Sequence, residues 1–304
     1  MVWLSGLLPY EQAAQVFERI VHSAVPGVSI WRQTRAHGQR LKAHVERQQT
    51  SIGLERTVLP PAGLDHQRRK GISMDGGKVH LREEGWKEFK VGAVFDVEQR
   101  LERDPRTGEA VERAHGTRIA YRAVVGTVEE FAPAMWALAI EQDVLRAAVS
   151  SVVADGAEWI WNLVNRCFPD SVQVVDWFHA CEHLAEAALA LYPNDESKAQ
   201  HWFKQRRDDL FKGHVHTITL CLENRRRNDL AAYFHKHKRR MRYQEFCEDG
   251  HPIGSGTVES GVKQFKARLT GPGMRWARPN AETMLVVRGA VLANHFDTLW
   301  EAAA

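Results

Sequence analysis

The spacing of apolar residues divides the chain into a helical beginning, a strand-rich middle and a later part in which strands and helices alternate. Residues 10–24 repeat apolar side chains at helical intervals, and a second helix is predicted from Ser29 to about Gln48. The second helix is basic, so the pair is either a helix-turn-helix-like DNA contact or a solvated helical hairpin. Turn-forming residues at 60–63 predict a boundary, which leaves residues 1–60 as a small helical region, the remnant of a DNA-binding domain if the first interpretation holds.

Short apolar runs after this boundary predict successive strands that pair in an antiparallel manner. The first strand covers residues 71–75, Gly76-Gly77 forms a tight turn, and residues 79–82 return. Residues 86–97 and 118–125 predict two further strands. The charged stretch between them predicts a long hairpin tip over residues 98–117.

The second half of the chain begins with Thr127-x-x-Glu130, a capping box that predicts a helix to about Ala148. Strands then alternate with helices, the pattern of a parallel sheet: strands at 150–154 and 172–175, helices at 156–165 and 177–191. After a basic and mostly helical stretch, two last helices are predicted at 257–270 and 281–296.

This order of elements predicts an α/β protein with the ribonuclease H-like fold, a mixed sheet flanked by helices. Residues 70–194 would form the first part of the core, residues 195–250 a basic helical insertion before the last catalytic helix, and residues 251–304 the closing helices.

Composition is that of an ordinary globular protein, with 44% apolar and 26% charged residues in 304. No apolar run approaches the ~20 residues of a membrane helix, and the N-terminus lacks a secretory signal, so we expect a cytoplasmic protein with no membrane contact. The four cysteines form no C-x-x-C pair and are expected to be reduced. Net charge is +3, yet residues 198–247 hold thirteen Lys/Arg against five Asp/Glu, so that segment carries +8 and the remainder 3 − 8 = −5.

Three acidic residues lie where this topology brings chain segments together: Asp75 on the first strand, Asp155 after the fourth, and Glu259 early in a late helix. Carboxylate oxygens are the ligands that two Mg²⁺ ions need in phosphodiester chemistry. Taken singly, each residue has an ordinary alternative: a turn residue, a helix cap, and one partner of a helical ion pair.

Glu259 follows the glycine-rich turn 251–256, and Thr257 is the expected cap of its helix. Lys263 and Lys266 share a face with Glu259, which is what a helix lying along a phosphate backbone would present. A solvated amphipathic face is the alternative.

These residues resemble the DDE transposases of bacterial insertion sequences, of the ISKra and ISLre kind. The specific pieces are Ser73-Met-Asp75-Gly76, Ala154-Asp155-Gly156-Ala-Glu-Trp159-Ile160, Val175-Asp176-Trp-Phe-His179-Ala-Cys-Glu182-His183-Leu184, Gly254-Ser-Gly-Thr-Val-Glu259-Ser-Gly261 and Arg275-Trp276. The resemblance implies a ribonuclease H-like catalytic domain with its DDE triad on Asp75, Asp155 and Glu259. It also implies Mg²⁺ or Mn²⁺ as cofactor, insertion-sequence ends and target DNA as partners, a homo-oligomer on DNA, and a place at the nucleoid.

One departure from the family concerns the N-terminus. Such proteins usually carry a longer region before the catalytic domain. One interpretation is a truncated copy with Met1 as an internal start, which would leave the catalytic residues intact and impair specific DNA binding.

Asp176-x-x-His179 resembles a C/D(2)H signature of related transposases. His179 and His183 are four residues apart and share a helix face. We expect Asp176, His179 and His183 to support the active site, with a two-histidine zinc site or a buried structural network as the alternatives.

Basic clusters in the insertion are expected to hold DNA through its phosphates. The residues concerned are Arg225, Arg226, Arg227, Lys238, Arg239 and Arg240. A solvated helix surface is the alternative. Two other functions stay open for the whole chain: a transposase-derived DNA-binding protein without catalysis, and a ribonuclease H-like nuclease without strand transfer.

Overall fold

The computed structural model describes residues 1–52, 65–103 and 108–304. The predicted boundary at 60–63 and residues 104–107 of the predicted hairpin tip therefore lie outside the described residues. None of the described helices is both long enough and apolar enough to cross a membrane.

A five-stranded mixed sheet forms the centre of the fold, with strand order β3-β2-β1-β4-β5. Its strands are β1 (Asp65–Leu81), β2 (Gly85–Arg103), β3 (Ala110–Val125), β4 (Ala147–Ala154) and β5 (Val172–Val175). The first three are antiparallel, as predicted, whereas β4 and β5 run parallel to β1. The protein is therefore an α/β protein with a mixed sheet.

The predicted tight turn at Gly76-Gly77 is wrong. Strand β1 continues through both glycines, which pair with Lys90 and Phe89 of β2, and the chain turns at residues 82–84 before Gly85. A Cβ atom at residue 77 would lie 2.5 Å from the ring of Phe89, so this glycine serves close packing and not chain reversal.

The predicted loop over residues 98–117 is also wrong, because β2 and β3 stay paired out to Arg103 opposite Ala110. Charged side chains on this ribbon lie in solvent, and Thr117 donates a 2.8 Å hydrogen bond across it to Glu98. Backbone pairing holds the ribbon without an apolar face, and this is why hydrophobic alternation did not reveal it.

The capping box predicted at Thr127 is present, with hydrogen bonds in both directions between Thr127 and Glu130. Its helix is shorter than predicted and ends at Glu141. Asp143 adopts a left-handed conformation, and a 3₁₀ turn leads directly into β4.

Thirteen α-helices cover both faces and the ends of the sheet in the described part of the chain. They are α1 (Val2–Leu7), α2 (Tyr10–Val21), α3 (Gly27–Ile52), α4 (Val128–Glu141), α5 (Glu158–Cys167), α6 (Trp177–Leu191), α7 (Glu196–Phe211), α8 (Val215–Glu223), α9 (Asn228–His237), α10 (Tyr243–Glu248), α11 (Gly256–Leu269), α12 (Arg278–Leu292) and α13 (Phe296–Ala302). Helices α7 to α10 lie within residues 195–250, the stretch predicted as a basic insertion, which is helical as predicted and contains no strand.

Two apolar cores lie on opposite faces of the sheet because strand residues alternate between them. Ile72 and Met74 of β1 pack with α4, α5 and α6, whereas Val79 of the same strand packs with α11 and α12. Helix α11, which carries Glu259, is thereby fixed on one face of β1.

Helices α1 to α3 pack on the closing helices and do not stand apart as a separate unit. The buried Arg268 donates to the carbonyl of Ser5, and Arg288 donates to that of Gly6. Gly38 of α3 lies against Thr283 of α12, at a spacing that leaves no room for a Cβ atom. One face of the predicted helical pair is therefore used in packing, and only its other face meets solvent.

Candidate active site

Asp75 and Asp155 lie side by side at one edge of the sheet. Strands β1 and β4 are parallel with Ser73 opposite Val153, and each aspartate follows two residues later. Neighbouring strands are about 4.8 Å apart, and residues in register project from the same face. Since β4 ends at Ala154 while β1 continues, the sheet edge opens beside the two carboxylates.

The opening is a cleft of about 490 Å³ that both aspartates line. Its other lining residues include Gly77, Trp86, Glu88, Trp159 and Lys266. Lys266 comes from α11 and approaches Gly77, where a Cβ atom would lie 3.1 Å from its side chain. The cleft therefore combines carboxylates, a cation and aromatic side chains around the two glycines of β1, Gly76 and Gly77.

The carboxyl group of Asp75 is in an electrostatically unfavourable position. Burial raises its pKa above the ordinary value, and the charges of Asp155 and Glu259 raise it further. The hydrogen bond from the Gly76 amide, at 2.6 Å, and the charge of Lys266 act in the opposite direction without cancelling the rise. This residue lacks a full counter-charge, and a bound cation would supply one.

Asp155 is held by its own loop and by the insertion. Its Oδ1 accepts from the Ala157 amide at 2.9 Å, and its backbone carbonyl accepts from the Tyr233 hydroxyl of α9 at 3.4 Å. The next residue, Gly156, has φ +100°, and a Cβ atom there would crowd Tyr233 and His237. Burial lowers the pKa of His237 to about 4, so the imidazole next to Gly156 is uncharged at pH 7.

Glu259 lies in the first turn of α11. Its Oε1 accepts a 2.8 Å hydrogen bond from the hydroxyl of Ser255, the residue before the helix. Thr257, the expected cap, is wrongly predicted: Ser255 occupies the cap position, and the Thr257 hydroxyl has no hydrogen-bond partner. Glu259 nevertheless reaches the aspartates electrostatically, because it contributes to the raised pKa of Asp75.

Asp176 is completely buried and connects the segments that carry the other acids. Its backbone amide donates to the carbonyl of Ala154, directly before Asp155, at 2.8 Å. Its carboxylate accepts the amides of His179 and Ser255, which caps α6 and fixes the loop before α11. Both carboxylate oxygens thus already accept hydrogen bonds, a geometry suited to positioning Glu259.

The two predicted histidines point to different partners. The His179 Nδ1 atom lies 3.4 Å from Asp176, and the ligand atoms of Asp176, His179 and Glu259 all lie within 4.8 Å of one another. His183 instead packs against Tyr233, with ring centroids 3.8 Å apart and the ring planes tilted by 34°. In the part of the chain that the structure describes, that group of three is the one such cluster of potential metal-binding side chains, and it excludes His183.

The basic residues that the sequence assigns to DNA binding differ in their exposure and in the contacts they make within the protein. Lys263, Lys266, Lys238, Arg239, Arg225 and Arg226 are exposed. Arg227 makes a two-pronged contact with Asp229, and Arg240 lies 4.3 Å from the Trp161 ring and donates to Gln173.

Sequence reasoning missed Ser255 and Tyr233. The spacing of Ser255 and Glu259, four residues apart across a helix start, is a local signal that could have identified the first. The contact between Tyr233 and Asp155 spans 78 residues and has no local signal.

The residues present fit a divalent cation of the Mg²⁺ type. Asp75, Asp155 and Glu259 offer carboxylate oxygens, the ligands such cations prefer, and burial together with the charges of Asp155 and Glu259 raises the pKa of Asp75. The oxygen atoms of these three residues do not all lie within 4.8 Å of one another, a spacing that Asp176, His179 and Glu259 do meet, so the fit rests on donor chemistry.

Comparison with known families identifies one match. Residues 130–214 match the family model of DDE transposases of the ISL3 type, described as a transposase. The resemblance to an insertion-sequence DDE transposase is thereby confirmed, with ISL3 as the matched type. The matched stretch includes Asp155, Asp176 and His179, whereas Asp75 and Glu259 lie outside it. No curated protein matches the chain.

Proposed function

We propose that this transposase-family chain is a DDE enzyme with a ribonuclease H-like core, which cuts DNA at insertion-sequence ends and joins the ends to target DNA. The observation that carries the proposal is the pairing of Asp75 and Asp155 on adjacent parallel strands, with Glu259 close enough to perturb the pKa of Asp75. These three carboxylates come from segments 80 and 104 residues apart, counted as 155 − 75 and 259 − 155.

Asp75, Asp155 and Glu259 would hold Mg²⁺ or Mn²⁺. When bound, two such ions activate an attacking oxygen and stabilise a leaving one in phosphodiester chemistry. The protein supplies a rigid frame for these ligands: Gly76 donates to Asp75, Ala157 donates to Asp155, and Ser255 donates to Glu259.

Other groups at the cleft would hold the DNA strand. Lys266 lies at the carboxylate cleft and can contact a phosphate. Arg225 and Arg226 are exposed and directly precede the cap residue of α9, the helix that carries Tyr233, so they offer further positive charge for phosphates.

We further propose that the chain acts as a homo-oligomer on DNA, in association with the nucleoid. Two other functions use the same fold: a DNA-binding protein without catalysis, and a nuclease without strand transfer. The uncompensated charge around Asp75 favours an enzyme over a catalytically silent protein, because a site without function gains nothing from clustered acids.

The deciding experiment incubates the protein with a supercoiled plasmid that carries the two ends of the element, in Mg²⁺, Mn²⁺ or EDTA. We expect nicked and joined products with either metal and none in EDTA. Asp75→Asn, Asp155→Asn and Glu259→Gln should abolish both products while gel-shift affinity is kept.

The matched control is Glu88→Gln, which removes a carboxylate from the same cleft; Glu88 is paired with Lys90 at 2.7 Å and is outside the triad. Nicked product without joined product would support the nuclease. Wild-type nicking by a triad variant would remove that residue from the catalytic set.

A further inference from the structure

Exposed aromatic side chains are rare in this protein, and two of them flank the candidate carboxylates. Among the described residues, the Trp and Phe side chains classed as exposed are Trp3, Trp86 and Phe178. Trp86 is 62% exposed and Phe178 is 64% exposed, and neither belongs to an apolar core cluster. Packing therefore does not account for either ring.

Both rings lie at the edge of the sheet that carries the acids. Trp86 lies at the start of β2 and lines the cleft with Asp75 and Asp155. Phe178 is the second residue of α6, directly after β5, and its ring lies 3.3 Å from where a Cβ atom of Gly254 would be. In the strand order β2-β1-β4-β5, Asp75 and Asp155 occupy the two strands between them.

The surroundings of Trp86 hold its ring and suit a nucleic acid. His80 contacts it edge-on, with centroids 5.3 Å apart, which limits its motion without covering it. Lys78 and Lys266 line the same cleft and offer charge for phosphates. An aromatic face beside cations is the arrangement that binds single-stranded nucleic acid, because bases stack on the ring while cations meet the backbone.

We propose that Trp86 and Phe178 bind unstacked bases on the two sides of the phosphate that is cut. The ligand is a DNA strand whose bases have left the duplex stack, since paired and stacked bases expose no ring face to a side chain. This inference rests on the proposed function. It adds that the preferred DNA is locally unpaired at the cleft.

The test compares two fluorescein-labelled probes in EDTA, where metal-dependent cleavage does not occur. One is a blunt 25-base-pair duplex, and the other is the same duplex with a five-nucleotide unpaired fork at one end. Fluorescence anisotropy gives Kd for each, and we expect the wild-type protein to prefer the fork. Trp86→Ala and Phe178→Ala should each weaken fork binding by roughly five- to a hundredfold and leave blunt-duplex binding within about twofold.

Matched controls are available for both positions. Trp3→Ala removes an exposed Trp from α1, and Leu189→Ala removes an exposed apolar side chain from the same helix as Phe178. Neither should change fork preference, whereas Trp86→Phe should retain it. A second readout uses 2-aminopurine in the fork: its fluorescence should be quenched on binding wild-type protein and not on binding Trp86→Ala.

Two results would overturn the inference: equal loss of fork and blunt binding in Trp86→Ala, or unchanged fork preference in both alanine variants. Failure of the proposed function is distinguishable, because then the wild-type protein does not nick the plasmid in Mg²⁺ or Mn²⁺, whatever its binding to the two probes. If the wild-type protein nicks DNA and Trp86→Ala keeps its fork preference, the function stands and this inference fails.

Discussion

Replacing Asp75 with asparagine should stabilise the protein when no metal is present. Burial raises the pKa of Asp75, and the negative charges of Asp155, at the neighbouring strand position, and of Glu259 raise it further. Asparagine removes one charge but keeps an oxygen that can accept the hydrogen bond from the Gly76 amide. The substitution therefore relieves repulsion and preserves the local structure.

The size of the effect follows from the separation of the strands. Two unit charges about 5 Å apart repel by about 1 kcal/mol in water and by about 3 kcal/mol at an effective dielectric constant of 20. Loss of the attraction to Lys266 offsets part of this gain. We expect a net gain of about 1–2 kcal/mol, which for a chain of this size raises Tm by roughly 2–4 °C.

The pH dependence has a defined sign. Because folding raises the pKa of Asp75, its ionised form costs stability at neutral pH, and that cost disappears as the group becomes protonated. The difference in Tm between Asp75→Asn and wild type should therefore shrink as pH falls toward the ordinary aspartate pKa of about 3.9.

Thermal melts in EDTA and in increasing MgCl₂ measure both effects. Mg²⁺ should raise Tm of the wild-type protein and have a smaller effect on Asp75→Asn, because a ligand that binds only the folded state stabilises it. Asp170→Asn, at an exposed turn, is the control and should leave Tm unchanged. A Tm of Asp75→Asn equal to or below that of wild type in EDTA would refute the electrostatic reasoning.

Two further predictions concern positioning and DNA affinity. Ser255→Ala removes the 2.8 Å hydrogen bond to Glu259 and should cost about 1 kcal/mol of stability and slow plasmid nicking, with Ser255→Thr restoring the rate; equal nicking by the alanine variant would exclude a positioning role. Joint substitution of Arg225 and Arg226 by serine should reduce the slope of log affinity against log salt by about 1.8, since each lost phosphate contact contributes about 0.9. Titration of the blunt duplex at several salt concentrations measures this slope, and an unchanged value would mean that both arginines belong to a solvated surface.

The apolar pattern indicated that Asp75 and Asp155 lie close together, because it locates the two strands approximately even where it misjudges their ends. Once β1 and β4 are recognised as neighbours, acids at their ends must share an edge of the sheet. Asp75 lies within a longer strand and not at its end, in contrast to the prediction. What places it next to Asp155 is the register of β1 and β4, which the apolar pattern does not specify.

The glycine pair shows why that detail was missed. Gly76-Gly77 between apolar residues is a common turn signal, but the same residues are needed wherever a strand must pass under a large ring. Here the ring is Phe89, from a segment that the turn interpretation did not place opposite Gly77. Local sequence cannot distinguish a turn from close packing, because the side chain that fills the space above the glycine comes from another part of the chain.

The histidine pair illustrates the limit of helical spacing as a guide to chemistry. His179 and His183 do share a helix and are separated by one turn, as predicted, but spacing says nothing about what covers each part of that face. His179 lies beside Asp176 and Glu259, whereas the insertion brings Tyr233 onto His183. Because Tyr233 also donates to the Asp155 carbonyl, the His183 ring supports the residue that follows β4 indirectly, through a contact between α6 and α9. His183→Ala should therefore lower Tm without metal and leave the rise in Tm with added Mg²⁺ unchanged. Thermal melts of the variant in increasing MgCl₂ measure both quantities, and a smaller rise than in the wild-type protein would indicate a ligand role for His183.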